Sequence, residues 1–177
     1  PLPPVVKAGK RIRGLQGKIV SKDMASENVN LSTWDIDSYF PALITWVYNK
    51  VASRSSSIYL ARFGVGLTDW RIIAYLGLFD GGTNAQICDY IGLDKAAVSR
   101  SVARLKTKGI AVVTPINRRD LKVELTKEGR ELGEEILRVA LEIEANLLAG
   151  VSEEEKQQIL AFLRKVLNNV STIKKSG

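Results

Sequence analysis

Apolar residues recur every three to four positions along most of the chain, and that period predicts helices. A first helix is expected from near Ser38 to about Ala61, with Phe40, Leu43, Val47 and Val51 on one side. Ser38 is placed to cap it, and Pro41 falls in its first turn, where no backbone N–H is needed. Gly64 and Gly66 end it. "LTDWRIIAYLGLF" predicts a second helix with Thr68 as cap and Ile72, Ile73, Leu76 and Phe79 inward, broken by Asp80, Gly81 and Gly82. A short third helix follows in "TNAQICDYIG", where Thr83 and Gln86 have capping-box spacing and Gly92 closes the run. Asp94 then caps a fourth helix, "KAAVSRSVARLKTKG".

After Gly109 the pattern changes. "IAVVTP" and "LKVELT" are rich in β-branched residues and flank "INRRD", which predicts a two-stranded hairpin with a basic tip. Thr126 caps a long fifth helix, about Lys127 to Leu148, with Leu132, Ile136, Val139, Ala140, Ile143 and Leu147 inward. Ser152 and Glu155 form another capping box. The sixth helix carries Ile159, Leu160, Leu163, Val166, Leu167 and Val170 on one face. Residues 1–33 show little periodicity and read as a basic N-terminal arm.

Composition adds little until charge is placed along the chain. The 177 residues carry a net charge of +7, with 45% apolar residues, which is enough for a core. The excess sits in two places: residues 1–30 are net +4 and residues 92–126 net +5, while the segments between and after each come to −1. A local excess of this kind points to a polyanion, although a basic helix taken alone also reads as a solvated face. No apolar run approaches the ~18 residues of a membrane span, and no signal-peptide pattern opens the chain. With Cys88 as the single cysteine, the expected setting is reducing and cytoplasmic, with no membrane partner.

The fourth helix resolves the two readings of the charge. At about 100° per residue, Val98, Val102 and Leu105 cluster on one side. Arg100 lies nearly opposite, flanked by Ala96, Ala103 and Arg104, with Ser99 also off the apolar stripe. Small residues allow close approach, and arginine forks match guanine edges and phosphates. A helix, a tight turn, a basic helix and then a basic hairpin make a winged helix-turn-helix. The expected DNA-binding residues are Thr83, Asn84, Lys95, Ala96, Ser99, Arg100 and Arg104, with Arg118 and Arg119 on the wing.

Three blocks, "GLTDWRIIAYL", "AQICDYIGLDKAAVSRSVARLKTKGI" and "NRRDLKVELTKEG", resemble the MarR family of bacterial winged-helix regulators over about residues 36–170. The family's wing signature, close to D-x-R-x5-L-T-x-x-G, is met by Asn117, Arg119, Leu125, Thr126 and Gly129. Asn117 stands where the family usually has Asp, the wing tip is short, Ser101 occupies a usually apolar position, and residues 1–33 exceed the usual lead. The implied fold is mainly α with a small β-hairpin wing. A DNA-binding lobe, 67–126, sits within one MarR-type domain, 34–173, whose long helices, 34–62 and 127–173, make a homodimer. The apolar stripe of the sixth helix supports dimerisation independently, intramolecular packing of the end helices being the alternative. A dimer presents two recognition helices ~34 Å apart and so expects a palindromic, inverted-repeat operator in double-stranded DNA.

Many relatives are repressors released by small aromatic acids or phenols bound between the dimer helices and the DNA lobe. The corresponding residues here are Tyr39, Trp46, Asn49, Ser53, Arg54, Arg62 and Trp70, although the three aromatics also suit a core or interface. No arginine stands between Asp35 and Tyr48, where some relatives grip an acid, which leaves room for a less acidic or larger ligand. Cys88, beside Ile87 and Ile91, reads as a structural thiol rather than a redox sensor. The chain has no histidine and no phosphate-binding glycine motif, so neither an enzyme nor a metal or other cofactor is expected. The expected function is a ligand-responsive transcriptional repressor, found at the nucleoid when bound to DNA. The alternative is a winged-helix DNA-architectural or protein-assembly module without a ligand.

Overall fold

A computed structural model describes residues 30–117 and 120–173. The chain divides into two compact units, Pro1–Leu43 and Ile44–Gly177. Of the expected N-terminal arm, residues 1–29 lie outside the described residues. In the first unit, Asp35 caps a short 3₁₀ helix, Ile36–Ser38, by accepting from the Asp37 N–H, and the Ser38 hydroxyl also donates to Asp35. Ser38 therefore does not cap the first long helix. That helix, α1 (Phe40–Phe63), starts after Tyr39, whose carbonyl accepts from the Ala42 and Leu43 N–H groups. Trp34 and Tyr39 meet edge to face with centroids 5.1 Å apart.

The second unit continues through α2 (Leu67–Phe79), β1 (Gly82–Thr83), α3 (Asn84–Ile91), α4 (Lys95–Thr107), β2 (Ala111–Pro115), β3 (Leu121–Leu125), α5 (Lys127–Leu147) and α6 (Glu153–Val170). The strands make one antiparallel sheet in the order β1-β3-β2, with Ala111 opposite Leu125 and Gly82 opposite Val123. The sequence predicts only the hairpin. β1 is two residues long, too short to show any alternation. Its glycines do more than break α2: a Cβ on Gly81 would lie 2.9 Å from the Val123 carbonyl oxygen, and one on Gly82 would lie 2.8 Å from the Tyr75 ring. The polypeptide approaches β3 at Gly81, and the Tyr75 ring of α2 at Gly82, that closely only without side chains.

Thr68 lies inside α2. The cap position is Gly66, whose N–H is accepted by Asp69 at 3.2 Å. The other caps follow the expected pattern. Thr83 and Gln86 exchange bonds at the start of α3, Asp94 accepts from Ala97 N–H at 2.8 Å, and Ser152 and Glu155 close the start of α6. Gly92 ends α3 with φ 68°, the left-handed region where glycine has no Cβ to strain.

The core lies where α2, α3, α4 and the sheet meet α5. Ile72, Ile73, Leu76, Ile87, Leu105 and Ile136 are its largest fully enclosed side chains. Cys88 is half-buried against this cluster. The expected inner faces of the long helices behave differently. On α1, only Ser55 and Tyr59 are buried, and Leu43 and Val47 are exposed. On α5, Ile136 and Val139 are buried while Leu147 is exposed. No residue of α6 is buried, and Leu167 is 70% exposed. The apolar stripes are present, but the described residues of one copy do not cover them. No described helix is long and apolar enough to cross a membrane.

Candidate nucleic-acid interface

α4 is seated by its apolar side. Val98, Val102 and Leu105 are buried in the core, and Asp94 satisfies the first turn of the helix. Lys95, Ala96, Ser99, Arg100, Ala103 and Arg104 are all exposed, so the face expected to read DNA is in solvent. Lys95 and Arg100 have no carboxylate partner among the described residues, which leaves both cations available to an anion. Gly92, in the turn between α3 and α4, sets α3 and α4 as the two helices of a helix-turn-helix.

Arg104 differs from its neighbours. It donates to Asp69 at 2.7 Å, and the pair is asymmetric: the Arg104 side chain is 51% exposed and that of Asp69 only 6%. Asp69 also accepts from the Ser101 hydroxyl and from Gly66 N–H. Ser101 is fully buried, so the residue expected at an apolar position is a polar anchor within the core. Burial on its own raises the Asp69 carboxyl, but the bonds from Arg104, Ser101 and Gly66 together outweigh it. They hold the group below the ordinary aspartate value, so it stays ionised. Neither Asp69 nor Ser101 was legible as a site residue, because the bonds span 32 and 35 positions.

At the start of α3, Thr83 is half-buried and its hydroxyl is engaged with Gln86. Asn84 is also half-buried, and its Oδ1 is enclosed without a hydrogen bond among the described residues. On the wing, Arg118 and Arg119 lie outside the described residues. The tip beside them is closed by Asn117, whose side chain donates to Asp120 at 2.9 Å and accepts from the Asp120 N–H at 2.9 Å. The wing base is joined to α5 through Thr126. Its hydroxyl donates to the Gly109 carbonyl at 2.8 Å and accepts from Gly129 N–H at 2.9 Å.

The expected effector residues do not share one hollow in a single chain. Trp70 lines a mainly apolar cavity of about 410 Å³ between α2 and α5, with Ala74, Leu78, Arg130, Glu134 and Leu137. Arg54 lines another, of about 380 Å³, with Val51, Ile58 and Ile143 between α1 and α5. Arg62 lines a third, of about 430 Å³, with Ala61, Val139 and Glu142. Trp46, Asn49 and Ser53 are on exposed positions of α1, outside these hollows. Tyr39 belongs to the first unit and packs on Trp34. Arg130, which pairs with Asp80 at 2.9 Å, and Leu137 were not anticipated. Their part in the cavity depends on how α5 lies against α2.

Known proteins match this arrangement. A family model described as MarR family matches residues 63–119, from the end of α1 to the wing tip. The HTH-type transcriptional regulator YwoH of Bacillus subtilis is 26% identical over 67% of this chain and 87% of its own length. The MarR/EmrR family transcriptional regulator from Acinetobacter sp. ADP1 superposes with a TM-score of 0.74 at 37% identity, over 79% of this chain and all of that one. Bordetella bronchiseptica BpsR, whose DNA binding is regulated by 6-hydroxynicotinic acid, shares the fold with a TM-score of 0.67 at 21% identity, over 76% of this chain and 98% of that one. The chain belongs to the MarR family of DNA-binding transcriptional regulators.

Proposed function

We propose that the chain works as a homodimeric repressor that binds an inverted-repeat operator through α4 and the wing and is released by a small aromatic or phenolic effector. The observation that carries this reading is the construction of α4, whose apolar side is buried while Lys95, Ser99 and Arg100 stand in solvent. In this reading the N-terminal turns of α4 enter the major groove, Arg100 reads a base edge, and Lys95, Arg104, Arg118 and Arg119 meet phosphates. Thr83 and Asn84, at the start of α3, lie along the backbone. The protein acts in the bacterial cytoplasm, at the nucleoid when bound.

The uncovered apolar rows of α1, α5 and α6 support the dimer. Leu43, Val47, Leu141, Leu147, Ile159 and Leu167 are all exposed in one chain, and a second copy burying the same faces satisfies both subunits. Such a face left in water is a cost, at ~25 cal/mol per Å² of apolar surface.

Three features support the effector. The Trp70 cavity has the size of a small-ligand site, it offers an aromatic face beside Arg130, and BpsR is regulated by an aromatic acid. In this reading Trp46, Asn49, Ser53, Arg54 and Arg62 join the site when a second copy is in place, and Tyr39 is a separate proposed effector contact of the first unit.

The experiment is a paired screen. Hydroxynicotinates, hydroxybenzoates and phenols are tested for a rise in melting temperature and for release of a bound duplex. A compound that does both, and loses both effects in Trp70→Ala, supports the reading. Silence across the set, with DNA binding intact, replaces it with a constitutive winged-helix module.

A further inference from the structure

Ser101, Arg104 and Lys108 occupy one stripe of α4, at i, i+3 and i+7, between its buried side and its exposed basic face. All three bond across the junction of α1 and α2: two to the first turn of α2 and one to the residue that follows α1. Ser101 and Arg104 donate to Asp69, and the Lys108 ammonium donates to the Gly64 carbonyl at the end of α1. Asp69 in turn holds Gly66 N–H at the same junction. Residues 64–69 thus act as a bracket on one flank of α4, and its only charged acceptor is a nearly enclosed carboxylate.

We propose that Asp69 is a positioning residue for DNA recognition, setting through Ser101 and Arg104 the angle at which α4 presents Arg100. The apolar contacts of Val98, Val102 and Leu105 press α4 onto the core but lack the directionality of hydrogen bonds. Hydrogen bonds to a fixed carboxylate are directional, and charge-assisted ones such as that from Arg104 are the stronger kind. Arg104 lies one turn beyond Arg100 at the edge of the exposed face. Rotation of α4 would carry Arg100 out of register with a base edge while leaving the net attraction to phosphate intact. The contribution of Asp69 is therefore one of orientation, and it runs against its own charge, since a carboxylate near DNA repels phosphate.

The inference rests on the DNA-binding reading, and the test separates the two. The wild-type chain is first titrated with a duplex selected from a random pool and with an unselected duplex. If neither binds, the DNA reading fails. Asp69 is then judged on the free protein by amide hydrogen exchange across residues 95–104, which must rise in Asp69→Asn. With binding established, Asp69→Asn adds one unit of positive charge, so charge alone predicts tighter binding to both duplexes. Positioning predicts the opposite sign on the selected duplex, a loss of about 2- to 30-fold. It also predicts little change on the unselected duplex and an unaltered salt slope. Tighter or unchanged binding to the selected duplex, or a steeper salt slope, overturns the proposal. Should Asp69→Asn be unfolded by circular dichroism, Arg104→Lys and Ser101→Ala decide. The lysine keeps the charge and loses the planar guanidinium donor, and the alanine removes one bond without changing charge. Loss of selectivity in both upholds the proposal, and wild-type selectivity in both overturns it.

Discussion

The Thr126 hydroxyl donates to the Gly109 carbonyl at 2.8 Å, closing the base of the wing onto the residue where the chain leaves α4. The same oxygen caps α5 by accepting from Gly129 N–H. The wing, α4 and α5 therefore share one joint. An ideal Cβ at position 129 would fall 2.0 Å from the Ile110 carbonyl oxygen. Gly129→Ala is expected to destabilise the protein by about 1–3 kcal/mol through overpacking. A melting temperature equal to wild type in calorimetry would mean that the joint yields freely.

Arg100→Ala tests the reading face of α4. Arg100 is exposed and makes no ion pair among the described residues, so its removal leaves the fold alone. The expected loss is about 1–3 kcal/mol on a selected duplex, with relaxed preference at one base position. Repeating the selection with the variant checks both, and an unchanged consensus would exclude a base contact.

Lys95→Gln probes a phosphate contact instead. Lys95 opens α4 and is exposed. The variant is expected to weaken all duplexes alike and to lower the slope of log K against log salt by about 1. Anisotropy titrations at several salt concentrations measure that slope.

The exposure of those two residues was legible in the sequence because one helix carries its own logic. The period of Val98, Val102 and Leu105 fixes the opposite face without reference to the rest of the chain. Asp94, Thr126 and Ser152 were equally legible, since a cap acts on an N–H three residues away. Local signals misled at two caps. Ser38 ends a 3₁₀ helix capped by Asp35 and α1 starts only after Tyr39, while Gly66 with Asp69 takes the role expected of Thr68. Asp69 was invisible because its partners are brought to it by tertiary packing. Of the expected effector residues, Trp70, Arg54 and Arg62 line three separate hollows and the other four line none of these, because helical spacing gives a residue its face and not the surface that face meets.

The Asp69 carboxyl also predicts an acid response. Its folded pKa lies below the ordinary value of ~3.9, so its contribution to stability is fully present above about pH 4. It is lost as the pH falls through the folded value. The gap in denaturation midpoint between wild type and Asp69→Asn should be open at pH 7 and narrow below pH 4. A gap of equal size at both ends would show that the asparagine acts through packing and not through charge.

Leu167→Glu addresses the uncovered face of α6. Leu167 is 70% exposed in one chain, so a carboxylate there costs an isolated subunit little. In a dimer that buries this face, it places a charge in an apolar interface. Light scattering is expected to show a shift from dimer to monomer. A wild-type dimer with unchanged dissociation would place the interface elsewhere.

Two copies of α4 per assembly are proposed to meet DNA, and selection of duplexes from a random-sequence pool, followed by stoichiometric titration, checks this. The expected result is an enriched inverted repeat with half-site centres about 10–10.5 base pairs apart, two protomers per duplex and affinity that falls steeply with salt. Enrichment of no duplex, or binding of one protomer to a single unrepeated site, would contradict it.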